Sequence, residues 1–489
     1  METASAARTP TLRNFVDGAW AEATAEDALD DTDPASGEVL ARVPLSGAAD
    51  VDAAVAAARA AQPGWREVPP PQRARALIAL RDALDRHREE LAKLVTADMG
   101  KTIGDARGEV GRGIESVESA IAVPHLMKGE NLEGVARGLD VEMVRQPVGV
   151  VAAITPFNFP AMIPLWFLPN AIATGNSFVL KPSERDPRPS ELIVEIAAGI
   201  EEIPPGVVNL VHGGREAVGA ILDHPGIDAV SFVGQASTAR LVATRSAETG
   251  KRVQALGGAK NSLVVMPDAN LEKSIPAIMG SAFGAAGQRC LAGSVCVLVG
   301  DGARQDEVRD ALAEAAAALT IGPGADEGTD VCPMIGSDAR DRAAAAVADA
   351  EQRGDAVVLD GRAASGPAGT MLAPTIVETA DRESVLAREE LFGPVLALVR
   401  ADDMADALDF VNGSRYGNSG SIFTTSGAAA RQYRYGVEAG MLGVNIGVPA
   451  PVAWFPFSGW KDSIDGDLHA NGTDAVEFYT RKKVITSRW

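Results

Sequence analysis

The sequence predicts an α/β protein built on two doubly wound parallel sheets, and three observations carry that expectation. Between Val148 and Glu248, short apolar runs alternate with amphipathic helical segments, the order expected of βαβ units. A second α/β series runs from Asn261 to Asn445. Finally, Leu139 to Arg145 alternates and then meets Pro147, which reads as an exposed ribbon; the tail from Asp474 to Ser487 is strand-like and suited to pair with it.

In chain order, Asp50 to Ala61 places Val51, Val55 and Ala58 at helical spacing, with Pro63-Gly64 as its stop. Gln72 to Asp98 reads as one long amphipathic helix on Leu77, Leu80, Leu84, Leu91 and Leu94, closed by Gly100. Asp105 to Met127 continues helical. Val148 to Ile154 is a buried strand, Pro160 to Thr174 an apolar helix ended by Gly175, and Phe178 to Leu180 a strand. Helices follow over Ser190 to Ile200, Glu216 to Leu222 and Ser237 to Glu248, interleaved with strands over Val207 to Val211 and Ala229 to Val233.

A chain of 489 residues suggests two to four domains, and 46% hydrophobic with 23% charged residues is ordinary for a soluble globular protein. A run of about 18 apolar residues, the signature of a spanning helix, does not occur. Met1 to Asn14 reads as a short loose tail without an apolar signal core. The net charge of −21 argues against nucleic acid and anionic membranes as partners. Cys290, Cys296 and Cys332 have no CxxC spacing and the histidines no HxxxH pair, so neither a disulfide framework nor a metal site is expected. A reducing compartment follows, with the cytoplasm as default.

The chemistry points to Cys290, which lies in Gly284 to Ser294 between a helix opening near Asn270 and the strand Val295 to Val299. Glycines and alanines around it leave room beside the sulfur, and Arg289 supplies a positive charge expected to favour the thiolate. The alternative is a buried structural cysteine. Asn158 leaves the strand ending at Ile154, where open α/β sheets bind ligands, and offers an amide donor for an oxyanion; its alternative is a helix cap. Lys181 and Glu184 leave the next strand with groups suited to ribose hydroxyls, or form an ordinary polar loop. Glu390 with Phe392 suits a second ribose and a nicotinamide ring, or a plain turn. There is no GxGxxG; His212-Gly213-Gly214 and Phe232-Val233-Gly234-Gln235 each follow a strand and enter a helix, a placement that suits a dinucleotide phosphate.

The motifs FNFP, LKPSE, FVG, GQRC and EELFGPV, in this order and spacing, resemble the aldehyde dehydrogenase superfamily across essentially the whole chain. Within it, FNFPAMIPLWF, LKPSERDP, RVQALGGAKN and FYTRKKVITSRW are most similar to the CoA-acylating methylmalonate-semialdehyde dehydrogenases. The resemblance implies Cys290 as nucleophile, with Asn158 and the Cys290 amide as oxyanion hole. It implies NAD as cofactor, at Thr155, Phe157, Lys181, Glu184, Arg185, Gln235, Gly257, Glu390 and Phe392, and coenzyme A as co-substrate. Arg112 and Arg289 resemble a carboxylate-binding pair, and Phe159 and Phe455 fall on substrate positions. The fold it implies is an NAD-binding domain (1–136 and 154–255), a catalytic domain (256–445) and an oligomerisation ribbon (137–153 and 470–489) that joins subunits into a homodimer or homotetramer.

The sequence departs from the family at Leu256, where most members carry a glutamate that activates water. Without that base the thioester is expected to survive until a CoA thiol takes the acyl group, with loss of a β-carboxylate to give propionyl-CoA or acetyl-CoA. Gln235 replaces a serine and Ala239 a glycine beside the expected phosphate site. Gly443 to Pro449 and Trp454-Phe455 match the substrate loop only loosely. Two rivals stand beside this reading: a hydrolytic semialdehyde dehydrogenase, and a catalytically silent NAD-binding subunit.

Overall fold

The structure, a computed structural model, describes residues 9–489, so the expectation for Met1 to Asn14 lies largely outside the described residues. Its last residue departs from that expectation: Asn14 is buried and opens the strand Asn14–Val16.

The described residues form two large sheets. The first has eight strands, in the order Ala19–Ala21, Asn14–Val16, Val208–Leu210, Ser177–Lys181, Val150–Ile154, Ala229–Val233, Arg252–Leu256, Ile464–Asp465. Its five central strands run parallel, and the antiparallel pairings sit at the two edges. Val150–Ile154 and Ser177–Lys181 are buried along their whole length, as continuous apolar strands covered by helices on both faces must be. The second sheet has seven strands, in the order Ala356–Leu359, Thr375–Glu378, Val395–Ala401, Gly293–Val299, Asn261–Val265, Ser419–Phe423, Met441–Val444, all parallel except the first pair. The doubly wound α/β expectation holds.

The ribbon pairing also holds. Thr480–Arg488 runs antiparallel to Leu139–Pro147 from Thr480↔Pro147 to Arg488↔Leu139, and a third strand, Glu130–Ala136, covers the other edge. The sequence reading missed that third strand, and it misread Asp474 to Tyr479, which belongs to the helix Gly472–Tyr479. In that helix Ala475, Val476, Phe478 and Tyr479 are all buried, so tertiary packing outweighs the β preference of Val, Phe and Tyr.

Two helical expectations are corrected. Pro63 does not stop its helix, which spans Ala48–Glu67. The last turn is held from outside: Trp65 is 1% exposed and its indole Nε1 donates to the Ile172 carbonyl at 2.9 Å. Burial of one such indole is worth about 3–5 kcal/mol, comparable with the cost of a helical proline. The segment read as one long helix is two, Pro70–Arg86 and Arg88–Met99, broken at His87. Gly175 does end the helix Met162–Ala173 (φ 95°), and a Cβ there would press on the Arg73 guanidinium, which donates to the carbonyls of Ala173 and Val68. Among the described residues no helix is long and apolar enough to cross a membrane.

Candidate active site

Cys290 follows a turn of unusual conformation. The helix Leu271–Phe283, capped by the Asn270 side chain, gives way to Gly284–Gly287, where Ala285, Ala286 and Gly287 all have positive φ (51°, 52° and 69°). For the two alanines this costs about 1–2 kcal/mol each. The turn is held by the Asp105 carboxylate, which accepts the Ala285 N–H at 3.1 Å, and by Gln288, whose Oε1 accepts the Ile335 N–H at 3.0 Å. Beyond it, the side chains of Asn261 and Asn418 both donate to the Cys290 carbonyl, at 2.9 and 2.8 Å. The nucleophile candidate is therefore fixed on both sides, before it by Asp105 on the helix Ile103–Ile121 and by Ile335, and after it by Asn261 on the second sheet and Asn418 at that sheet's border.

Asn158 approaches from the first sheet, four residues beyond Ile154. Its Nδ2 donates to the Gln288 carbonyl at 3.1 Å and lies 3.6 Å from Cys290 Sγ. The helix-cap alternative is set aside, since the helix that follows begins at Met162 and its end is not capped by a side chain. Cys290 Sγ opens into a cavity of about 420 Å³ whose lining includes Lys101, Arg112, Phe159, Trp166, Arg289 and Phe457. Arg112 pairs with Glu115 at 2.8 Å, and Arg289 turns its guanidinium to the Gly280 and Ser281 carbonyls.

Arg289 does not supply the charge expected of it at the sulfur. Burial pushes the Cys290 thiol up to about 11, the Asn158 hydrogen bond draws it down, Glu390 raises it and Lys101 lowers it. The free enzyme should accordingly show alkylation of Cys290 by iodoacetamide rising about tenfold per pH unit from pH 7 to 10, following the thiolate. A plateau below pH 8 would contradict this placement of the thiol. Phe455, expected as a substrate contact, is 63% exposed and outside the cavity lining; Phe457, two residues on, takes that place.

The second cavity, about 450 Å³, lies at the carboxyl ends of Ala229–Val233 and Arg252–Leu256 and is lined by Gln235, Ala236, Ser237, Arg240, Glu389, Glu390, Arg415, Tyr416 and Asp462. The strand order of the first sheet reverses between Val150–Ile154 and Ala229–Val233, the switch point at which such sheets take ligands. The helix Ala236–Glu248 begins here without a side-chain cap, which leaves its first N–H groups for an anion. Gly257 closes on the same helix: a Cβ there would sit 2.9 Å from the Asp462 carbonyl oxygen and 3.2 Å from Ala236 Cα. Glu390 accepts the Ala259 N–H at 3.1 Å, and burial raises its carboxyl to about 7. Phe157 and Phe392, the latter at φ 55°, meet edge to face with centroids 5.7 Å apart. Lys181 and Glu184 pair at 2.9 Å, and the buried Thr155 hydroxyl has no protein partner. Arg185 is committed elsewhere, in a two-pronged pair with Asp338 at 3.1 and 3.0 Å.

Leu256 ends its strand and is 4% exposed, in the apolar cluster against which Cys290 packs. Glu477, a carboxylate near the C-terminus, cannot supply a base in its place: it is held by Arg145 and Lys482 at the ribbon and lines neither cavity. The site contains residues the sequence reading did not single out: Lys101, Glu109, Asn261, Asn418 and Phe457. Of these, Asn261 closes the RVQALGGAKN segment and Phe457 lies two residues beyond Phe455; Lys101, Glu109 and Asn418 are tertiary placements of ordinary polar residues.

A profile of the aldehyde dehydrogenase family matches residues 20–485. Malonate-semialdehyde dehydrogenase 1 of Geobacillus kaustophilus is 48% identical over 487 residues, covering 98% of each chain. Malonate-semialdehyde dehydrogenase 2 of Geobacillus thermodenitrificans is 49% identical over 486 residues, covering 98% of this chain and 99% of that one. Among solved structures, a Sinorhizobium meliloti protein provisionally named a methylmalonate-semialdehyde dehydrogenase, complexed with NAD, superposes with a TM-score of 0.96 at 42% identity over 99% of both chains. A methylmalonate-semialdehyde dehydrogenase from Oceanimonas doudoroffii gives 0.95 at 42% identity, over 98% of this chain and 99% of that one.

Proposed function

The chain belongs to the aldehyde dehydrogenase family, and on that basis we propose that it oxidises malonate or methylmalonate semialdehyde with NAD through a Cys290 thioester and delivers the acyl group to coenzyme A. The observation that carries the substrate class is that Arg112 and Arg289 line the same cavity as the Cys290 thiol. A semialdehyde offers one aldehyde for the sulfur and one carboxylate for the guanidinium groups, which bind carboxylates through paired N–H donors.

Cys290, once its proton has passed to solvent, adds as the thiolate to the aldehyde carbon, and the oxygen, becoming an alkoxide, takes hydrogen bonds from Asn158 Nδ2 and the Cys290 N–H. NAD, when bound, would supply the hydride acceptor that turns the Cys290 adduct into a thioester. Lys181, Glu184, Glu390 and Thr155 would hold its hydroxyl groups, Phe157 and Phe392 would border its ring, and the start of Ala236–Glu248 with Gln235 and Gly257 would take its phosphates. Leu256 presents no proton acceptor, so water is poorly activated and the CoA thiol resolves the thioester. A β-carboxylate leaves as carbon dioxide, its bonding pair passing into the thioester enolate, which takes a proton from solvent at the α-carbon to give propionyl-CoA or acetyl-CoA.

The reading includes a cofactor-binding unit (1–136 and 154–255), a catalytic unit (256–445) and a subunit-joining ribbon (137–153 and 470–489), with the strand Glu130–Ala136 joining the ribbon and Val150–Ile154 the first sheet. On the ribbon Leu132, Val135, Val484 and Trp489 are exposed, apolar surface that a homodimer or homotetramer would cover. A reducing, cytoplasmic setting accords with three free thiols.

One observation favours the hydrolytic rival. Burial raises the Glu390 carboxyl to about 7, the range in which a carboxylate can take a proton from water, and its charge is felt at the Cys290 thiol.

Arg112→Gln tests the substrate class. It should raise KM for malonate semialdehyde by about 10-fold or more while changing KM for propanal less than about threefold, because only the former loses a charge-assisted bond. Equal changes for both aldehydes would mean that Arg112 does not meet the carboxylate.

A further inference from the structure

Lys101 and Glu109 form a buried ion pair for which the steps above have no use. Lys101 Nζ lies 2.6 Å from Glu109 Oε2, and the two residues are 1% and 3% exposed. Such pairs contribute little to stability, since apolar residues of like volume often replace them without loss. Their other contacts converge on one segment. Lys101 Nζ donates to the Asn158 carbonyl at 2.7 Å and lies 4.2 Å from the Phe159 ring centroid. Glu109 Oε1 accepts the N–H groups of Ala161 and Met162 at 2.8 and 3.1 Å. The irregular stretch that carries Asn158 past Cys290 is thus pinned at both ends by this pair.

We infer that Lys101 is a positioning residue for the reaction: it fixes Asn158 against Cys290, and its charge favours the anions that form at that sulfur and at the aldehyde oxygen. The inference rests on the Cys290–Asn158 reading proposed above.

The charged groups around the sulfur give it a testable sign. Lys101 draws the Cys290 thiol down while Glu390 raises it. Asp105, Arg112, Glu115 and Arg289 line the same cavity, and Glu109 offsets the Lys101 charge directly. Removing Lys101 and removing Glu109 therefore act on Cys290 in opposite directions. A pair that only held the fold together would make the two losses alike.

The full-length enzyme, Lys101→Gln, Glu109→Gln and the double variant would be compared by single-turnover NADH formation with propanal, by iodoacetamide alkylation of Cys290 across pH 7–10, and by thermal midpoint. Lys101→Gln should slow both hydride transfer and alkylation about 10- to 100-fold, with KM for propanal shifted less than about threefold. Glu109→Gln, which keeps an acceptor for the Ala161 and Met162 amides, should alkylate as fast as the native enzyme or faster. The double variant leaves no buried charge unpaired and should fold with a near-native midpoint, yet still transfer hydride about tenfold slower or worse. A double variant within about threefold of native, or Glu109→Gln slowing alkylation as much as Lys101→Gln, would overturn the inference. Cys290→Ala assayed alongside separates the two levels: NADH formation by that variant would defeat the underlying reading, whereas its silence beside native-like Lys101 variants would defeat only the inference.

Discussion

Cys290→Ala should abolish NADH formation with every aldehyde while NAD still binds. The expectation follows from position: Cys290 is the one of the three thiols that opens into a cavity, whereas Cys296 and Cys332 are fully buried and burial pushes both to about 12. Neither can take over, because Cys296 lies inside the strand Gly293–Val299 and neither lines the cavity. The substitution removes only a sulfur from a residue whose backbone is held by Asn261 and Asn418, so the fold should be retained. Activity is read as NADH absorbance, and binding as quenching of protein fluorescence by NAD. Residual turnover above a few per cent of native would remove Cys290 from the mechanism.

Asn158→Ala should slow acylation by about 10²–10³-fold, the usual cost of one oxyanion donor. Two roles meet in this side chain. It is the donor near the sulfur, at 3.6 Å, and it ties the first sheet to the nucleophile turn through the Gln288 carbonyl. Its hydrogen bond also draws the thiol down, so Asn158→Ala should shift the alkylation profile of Cys290 to higher pH as well as slow the chemistry. Asn158→Asp separates the two losses: it keeps much of the shape but puts an anion beside the sulfur, and should be at least as slow as the alanine variant. Unchanged single-turnover hydride transfer in Asn158→Ala would leave Asn158 with a structural role alone.

The alternating strands and helices from Val150 to Glu248 were legible because apolar runs bounded by glycine leave few other readings, and glycines such as Gly175 do adopt the positive φ that their positions suggested. The failures have a common cause in long-range contacts. Trp65 reaching the Ile172 carbonyl keeps a proline-bearing turn helical, and burial of four side chains makes a helix of a strand-like tail. At the site, Cys290, Asn158 and Glu390 were recognisable as separate motifs. What brings them to bear on one another was not: two alanines at positive φ carry no signature where glycine would, and Lys101, Glu109 and Asn418 are ordinary polar residues until the sheets meet. The source of the positive charge at Cys290 was misread for the same reason, since the neighbour in sequence, Arg289, turns away and the cation that counts comes from 189 positions earlier, at Lys101.

The central claim is that the Cys290 thioester awaits a thiol rather than water, because Leu256 stands where a base would be needed. The measurement that tests it is pre-steady-state NADH formation from malonate semialdehyde, with and without coenzyme A, followed by product analysis. The account gives a burst of about one NADH per site without CoA, followed by slow turnover, and steady turnover several-fold faster with CoA, yielding an acyl-CoA. Burst-free turnover that ignores CoA and releases free acid would contradict it, and would assign to Glu390 the water-activating role that Leu256 cannot fill.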